Sequence, residues 1–151
     1  MNLTTQQGLQ IALRHHQAGK LPEAEQMYRQ VLEIDPANFE AHGSLGNVLR
    51  DLGQLEEAER SCRRALALGP EIAELHANLG TMLLDIRRVD ESKRCYEQAL
   101  RLKPDLVGAH YSLDTKLMVM TLFLRTTTRE KDFPRTTGAK EEARTIEWAF
   151  C

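Results

Sequence analysis

The chain has 151 residues, 42% of them apolar, 5% aromatic and 28% charged. Twenty Lys and Arg stand against 22 Asp and Glu, a formal net charge of −2, so no sequence-wide basic field concentrates nucleic acid or anionic lipid. Few aromatics weaken base stacking further. The most apolar run, Leu117–Met120 with Leu122–Leu124 beyond Thr121, falls short of the ~20 residues that span a bilayer. Neither a nucleic-acid nor a membrane partner is expected.

The Met-Asn-Leu-Thr-Thr start has no basic or apolar leader region, which predicts a cytoplasmic protein. Cys62, Cys95 and Cys151 are odd in number and include no CxxC pair. That pattern is neither a disulfide framework nor a zinc ribbon. It fits small apolar side chains or free thiols in a reducing compartment.

Along the chain, Pro36, Pro70 and Pro104 recur every 34 residues, as do His42, His76 and His110, Leu45, Leu79 and Leu113, and Leu32, Leu66 and Leu100. Repetition at this period marks stacked supersecondary units. The register places repeats at about 5–38, 39–72 and 73–106, with a fourth beginning at Val107. In the second repeat a helix over Asn38–Leu52 carries Leu45, Val48, Leu49 and Leu52 at helical spacing. Gly53 ends it in the left-handed conformation, as Gly19 does in the first repeat. A second helix over Leu55–Leu68 turns Ala58, Cys62, Ala65 and Leu66 inward and stops before Pro70.

Small residues recur where the two helices of a hairpin must approach closely, at Ala12, Gly46 and Gly80 on the first helix and Ala24, Ala58 and Ser92 on the second. Tyr28, Cys62 and Tyr96 fill the wider part of that seam.

This order of small, apolar and proline positions, with Leu-Gly at 45–46 and 79–80, resembles the tetratricopeptide repeat over residues 5–113. The resemblance implies an all-α fold: a right-handed superhelix, or α-solenoid, of about three helix-turn-helix repeats followed by a divergent C-terminal helical segment. It also implies a non-catalytic scaffold with a concave groove lined by the first helices. One hairpin cannot bury its apolar stripe alone, so stability comes from stacking on neighbours, and the resulting open surface suits a peptide or helix better than a small substrate. The expected domains are an array over 1–113 and a tail over 114–151.

Carried over residue by residue, the groove would comprise Gln6, Leu9, Leu13 and Gln17 from the first repeat, and Glu40, Gly43, Asn47, Arg50 and Asp51 from the second. Glu74, Ala77, Asn78, Thr81 and Asp85 follow from the third, and Tyr111 and Thr115 from the fourth. Glu40, Glu74, Asp51 and Asp85 align one period apart, with Arg50 the basic group among them, so a mildly acidic groove and a neutral to basic partner are expected. Family members that hold acidic chaperone tails use a clamp of Lys, Asn and Arg. The matching places here are Leu9, Leu13, Ser44, Glu74 and Asn78, where two leucines and a glutamate would repel a carboxylate or leave it unpaired. Of the asparagine ladder that grips peptide backbone in another subtype, Asn78 alone matches outright.

No glycine-rich phosphate loop, GxSxG elbow or HExxH helix occurs, and no cofactor is expected. Helices stack about 8–10 Å apart, which argues against a metal shared by His42, His76 and His110. These histidines are expected in the seam between helices. The adjacent His15 and His16 point to different faces and read as surface and boundary. Glu56-Glu57 reads as a solvated helix face.

The last third departs from the pattern. Asp114 stands where Gly46 and Gly80 stood, and threonine occurs 8 times in 107–151 against 3 times in 1–106. The sequence predicts one long helix over Leu106–Leu124, apolar nearly all round, a loop over Thr126–Gly138, and a final helix over Ala139–Phe150. Either the last helix folds back, or Leu117–Leu124 with Trp148 and Phe150 pairs with another copy, or the chain is a fragment. Arrays of this type often precede a glycosyltransferase or sulfotransferase domain, so an accessory domain of a larger enzyme is the alternative reading.

Overall fold

The computed structural model describes residues 4–129, whose regular structure is entirely helical. Three antiparallel hairpins follow in order: α1 (Thr5–Gln17) with α2 (Leu21–Ile34), α3 (Phe39–Asp51) with α4 (Leu55–Leu68), and α5 (Ala73–Asp85) with α6 (Val89–Leu102). Then come α7 (Val107–Tyr111), a π-helical turn (Ser112–Lys116) and α8 (Leu117–Arg129). The array and the start of α8 make one compact unit ending at Met120, and the rest of α8 belongs to a second unit.

Local chemistry sets the helix ends. Thr4 and Gln7 cap α1 reciprocally, each side chain accepting from the other's backbone N–H, and so satisfy two otherwise orphaned donors. Asn38 lies just outside α3 as its N-cap and accepts from the Ala41 N–H at 2.9 Å. The helix predicted over Asn38–Leu52 is therefore one residue shorter at each end, while α4 spans the residues expected of it.

The turn between the helices of each hairpin needs one left-handed residue. Gly19 (φ 73°), Gly53 (φ 80°) and Arg87 (φ 63°) supply it, each one repeat apart. Thr121 stands at the next interval and lies inside α8. A β-branched residue pays a steep steric cost at positive φ, so the chain runs on as helix instead of turning into a fourth hairpin. Helix persists through Arg129, which corrects the loop expected from Thr126 for residues 126–129. The helix expected over 139–150 lies outside the described residues. The long helix expected over Leu106–Leu124 is interrupted at Ser112–Lys116, where Leu117 N–H bonds back to Ser112 O across five residues.

Stacking builds the core. Ala12, Ala24, Tyr28, Val31, Ala41, Leu45, Val48, Leu49, Ala58 and Met82 form one cluster drawn from all three hairpins. Cys62, Leu79 and Leu83 link the second hairpin to the third, and Leu84, Tyr96 and Ala99 meet Ala109 and Leu117 of the fourth first helix. Within each hairpin the close approach follows the expected seam. A Cβ on Gly46 would stand 2.5 Å from Cys62 Sγ, and one on Gly80 would stand 3.2 Å from the Tyr96 ring. Ser92, fully buried at the small-residue position, donates from Oγ to the Gly80 carbonyl at 2.6 Å.

The periodic histidines are placed differently from expectation. His42, His76 and His110 lie half-buried or exposed, and each directs Nε2 at the carbonyl of the proline six residues earlier, at 3.0, 2.8 and 2.6 Å. They tie the turn between hairpins to the first turn of the next helix. Proline and histidine recur together because they are the two ends of one hydrogen bond.

Candidate functional site

The first helices α1, α3 and α5 are stitched together near their C-terminal ends by side chains. His16 Nε2 lies 3.0 Å from Asp51 Oδ2, Arg50 donates to Asp51 Oδ1 at 3.0 Å, and Arg50 Nε lies 3.7 Å from Asp85 Oδ2. Of the anticipated groove residues, this brings Arg50, Asp51 and Asp85 together. His16, read from sequence as surface and boundary, joins them. Its place was legible, since it lies one 34-residue period before Arg50. Burial pushes the Asp51 carboxyl up, but the hydrogen bonds from His16 and Arg50 outweigh it and hold the group below its ordinary value.

The middle of the face is neutral. Asn47 and Asn78 are half-buried, and neither amide has a side-chain hydrogen-bond partner among the described residues. Gly43 is buried where α3 meets α5, since a Cβ there would fall 2.7 Å from Leu75 Cδ2 and 4.0 Å from Asn78 Nδ2. Ala77 packs against the third cluster of core residues at the C-terminal end of the stack. Thr81 turns its hydroxyl inward, donating to the Ala77 carbonyl at 3.1 Å and accepting from Tyr96 Oη at 2.8 Å.

Toward the N-terminal end of these helices, Glu74 accepts from Lys103 Nζ at 2.8 Å. That bond lowers the Glu74 carboxyl and raises the Lys103 ammonium. Glu40 stays exposed, as do Gln6 and Gln17. Leu9 packs half-buried on the first core cluster, while Leu13 is 48% exposed. Tyr111 and Thr115 are exposed on the fourth first helix. Three of the four aligned carboxylates thus meet a cationic or imidazole group, and the face is less acidic than residue counting implies.

The opposite, second-helix side neutralises itself. Arg29 bridges Glu25 and Glu57, and Arg88 bridges Glu59 and Glu91 with N–O distances of 2.6 Å. Glu57, expected as a solvated face, is a rung of this ladder. Burial pushes the Cys62 thiol up to about 11, which keeps it protonated and unreactive. Cys62 and Cys95 are free thiols. Among the described residues no three His, Cys, Asp or Glu side chains converge as a metal site, and no helix is long and apolar enough to cross a membrane.

Stacked helical hairpins with an open face of neutral amides between charged rims define a helical-repeat protein of the α-solenoid class. The chain belongs to the tetratricopeptide repeat family: two profiles described by that name match residues 15–79 and 73–106. Among solved structures, it is similar to the first such domain of Spaghetti (RPAP3) bound to an HSP90 peptide, SRMEEVD, with TM-score 0.72 and 21% identity over 81% of this chain and 94% of that one. It is also similar to the O-GlcNAc transferase of Thermobaculum terrenum, with TM-score 0.70 and 33% identity over 72% of this chain but 21% of the transferase. The MamA protein matches with TM-score 0.65 and 26% identity, over 75% of this chain and 62% of MamA. A search of the curated proteins finds no match.

Proposed function

We propose that this chain is a non-catalytic scaffold that binds an extended or helical segment of a partner protein along the face of its first helices. The observation that carries this reading is the pair of half-buried amides, Asn47 and Asn78, with no partner inside the described residues. An amide held there offers both a donor and an acceptor to a peptide backbone. In this reading residues 1–113 are the binding module and 114–151 a separate segment, and the free thiols of Cys62 and Cys95 suit a cytoplasmic setting.

The preferred ligand is neutral to basic. Glu40 remains as an exposed anionic group on the rim, and Asp85, only loosely paired with Arg50 at 3.7 Å, keeps 46% of its side chain exposed. Leu9, Leu13, Ser44, Glu74 and Asn78, by contrast, stand where an acidic tail would need a clamp of Lys, Asn and Arg. The HSP90 peptide held by the RPAP3 domain is accordingly not the ligand proposed here. The test is a pull-down with wild type and the Asn47→Ala, Asn78→Ala double variant. Loss of captured protein supports the face as the site, and undiminished capture overturns it. Titrating salt against a bound Lys-rich peptide tests the charge preference, because screening should weaken a rim contact as ionic strength rises.

A second reading has a specific support. The similarity to an O-GlcNAc transferase, at 33% identity and over only 21% of that chain, favours an accessory array attached to a glycosyltransferase or similar transferase. Here the groove would present a protein substrate to catalysis elsewhere. A coding sequence that continues past Cys151 into a transferase domain would establish it.

A further inference from the structure

The two ends of the stack are finished differently. Each first helix meets the preceding hairpin through residues spaced by four: Ala41, Leu45 and Leu49 in α3, and Leu75, Leu79 and Leu83 in α5, all buried. The same places in α1 hold Gln7, Ile11 and His15, and Arg14 stands where α3 and α5 have Val48 and Met82. The N-terminal end therefore carries the polar outer face that a capping repeat requires.

At the other end the face is apolar and open. Ala73 is 4% and Leu84 6% exposed, Leu84 in one cluster with Ala109 and Leu117 of the fourth first helix. One period later, Val107 is 78% and Met118 63% exposed, and Tyr111, in the place of half-buried Ala77, is 58% exposed. Among the described residues no second helix turns back beside them, because Thr121, at the place of the turn residue, continues α8. Asp114 lies exposed among these side chains, at the place Gly46 and Gly80 hold against their own second helices.

We infer that this end of the array is a docking surface for an amphipathic helix of another protein, one that sets a Lys or Arg against Asp114. Two properties select that occupant. The molecule covers the same places in α5 with a helix whose Ala109, Leu113 and Leu117 are spaced by four, so the fitting stripe is known from its own packing. Asp114 supplies the charge complementarity. A second copy fits worse. Head-to-tail stacking would lay Gln7, Arg14 and His15 on the apolar stripe, and tail-to-tail pairing of antiparallel helices would bring Asp114 beside its own counterpart.

The probe is a stapled helical peptide of about 16 residues, long enough to hold its conformation once constrained. It carries Ala, Leu and Leu at i, i+4 and i+8, with either Arg or Glu on the same face, and its binding to the full chain is read by fluorescence anisotropy. The Arg peptide should bind at least about tenfold tighter than the Glu peptide. Asp114→Lys should invert that order, and Met118→Glu should abolish binding of both. Asn47→Ala with Asn78→Ala should leave this binding unchanged, which separates it from the groove reading. Absence of binding, or equal affinity for the two peptides in wild type and Asp114→Lys, overturns the proposal. So does sedimentation of wild type as a dimer that Tyr111→Glu dissociates, which would assign the face to a second copy. Circular dichroism melts of each variant verify that these exposed substitutions leave the fold intact.

Discussion

The seam inside each hairpin and the face along the first helices are built from the same helices under different rules. The seam is governed by volume. Gly46, Ala58 and Cys62 on one hairpin, and Gly80, Ser92 and Tyr96 on the next, leave no slack. The face is governed by charges and amides that reach across repeats, from His16 to Asp51 and from Arg50 to Asp85. A wrong residue in the seam displaces neighbours, whereas a wrong residue on the face is rehydrated. The contrast teaches that stability and recognition are separable here, and substitutions can test that directly.

The largest effect should come from Tyr96→Ala. Removing a ring that is 1% exposed leaves a cavity and takes away the donor to the Thr81 hydroxyl, at a cost of about 3–4 kcal/mol by urea unfolding. Gly46→Val should cost about 1–3 kcal/mol, since the new Cβ would meet Cys62 Sγ at 2.5 Å and the Ala58 carbonyl at 3.3 Å. If either variant unfolds like wild type, the seam is not the structural half of the molecule. Arg87→Gly sharpens the comparison in the stabilising direction. It relieves a non-glycine residue at φ 63° and should add about 1 kcal/mol, read as a rise of a few degrees in Tm.

The smallest effect belongs to the face. Asp51→Asn should shift stability at neutral pH by less than about 1 kcal/mol, because the pair is exposed to solvent. Its sign follows from linkage. The folded-state carboxyl lies below its ordinary value, so its contribution is present at pH values above the unfolded pKa and vanishes as pH falls through the folded one. Wild type and variant should therefore converge in urea melts near the acid end of carboxylate titration. A difference that grows with acid would contradict the bonding of Asp51 to His16 and Arg50.

The period of 34 residues made the hairpins, their register and the small-residue seam legible, because close packing admits few side chains at each repeated place. The histidine pattern was equally visible but its meaning was not. A ring at i+6 from a proline reads as a buried aromatic substitute until the turn geometry delivers its Nε2 to the carbonyl. The groove was legible as a set of places and illegible as an electrostatic surface. Pairing Glu74 with Lys103 or Asp51 with His16 spans 29 and 35 residues, and no periodicity encodes which long side chain reaches which neighbour.

By itself, then, the sequence determined the repeat, its helices and the tight contacts within each hairpin, since those follow from backbone propensity and from volumes at fixed spacing. The tertiary structure decided which carboxylates are neutralised and which amides stay available. It also decided that α8 runs on where earlier repeats turn: Thr121 is an ordinary helical residue until the left-handed turn at Gly19, Gly53 and Arg87 reveals what its place demands. Those outcomes depend on distances between separate hairpins, and such distances exist only once the hairpins have stacked.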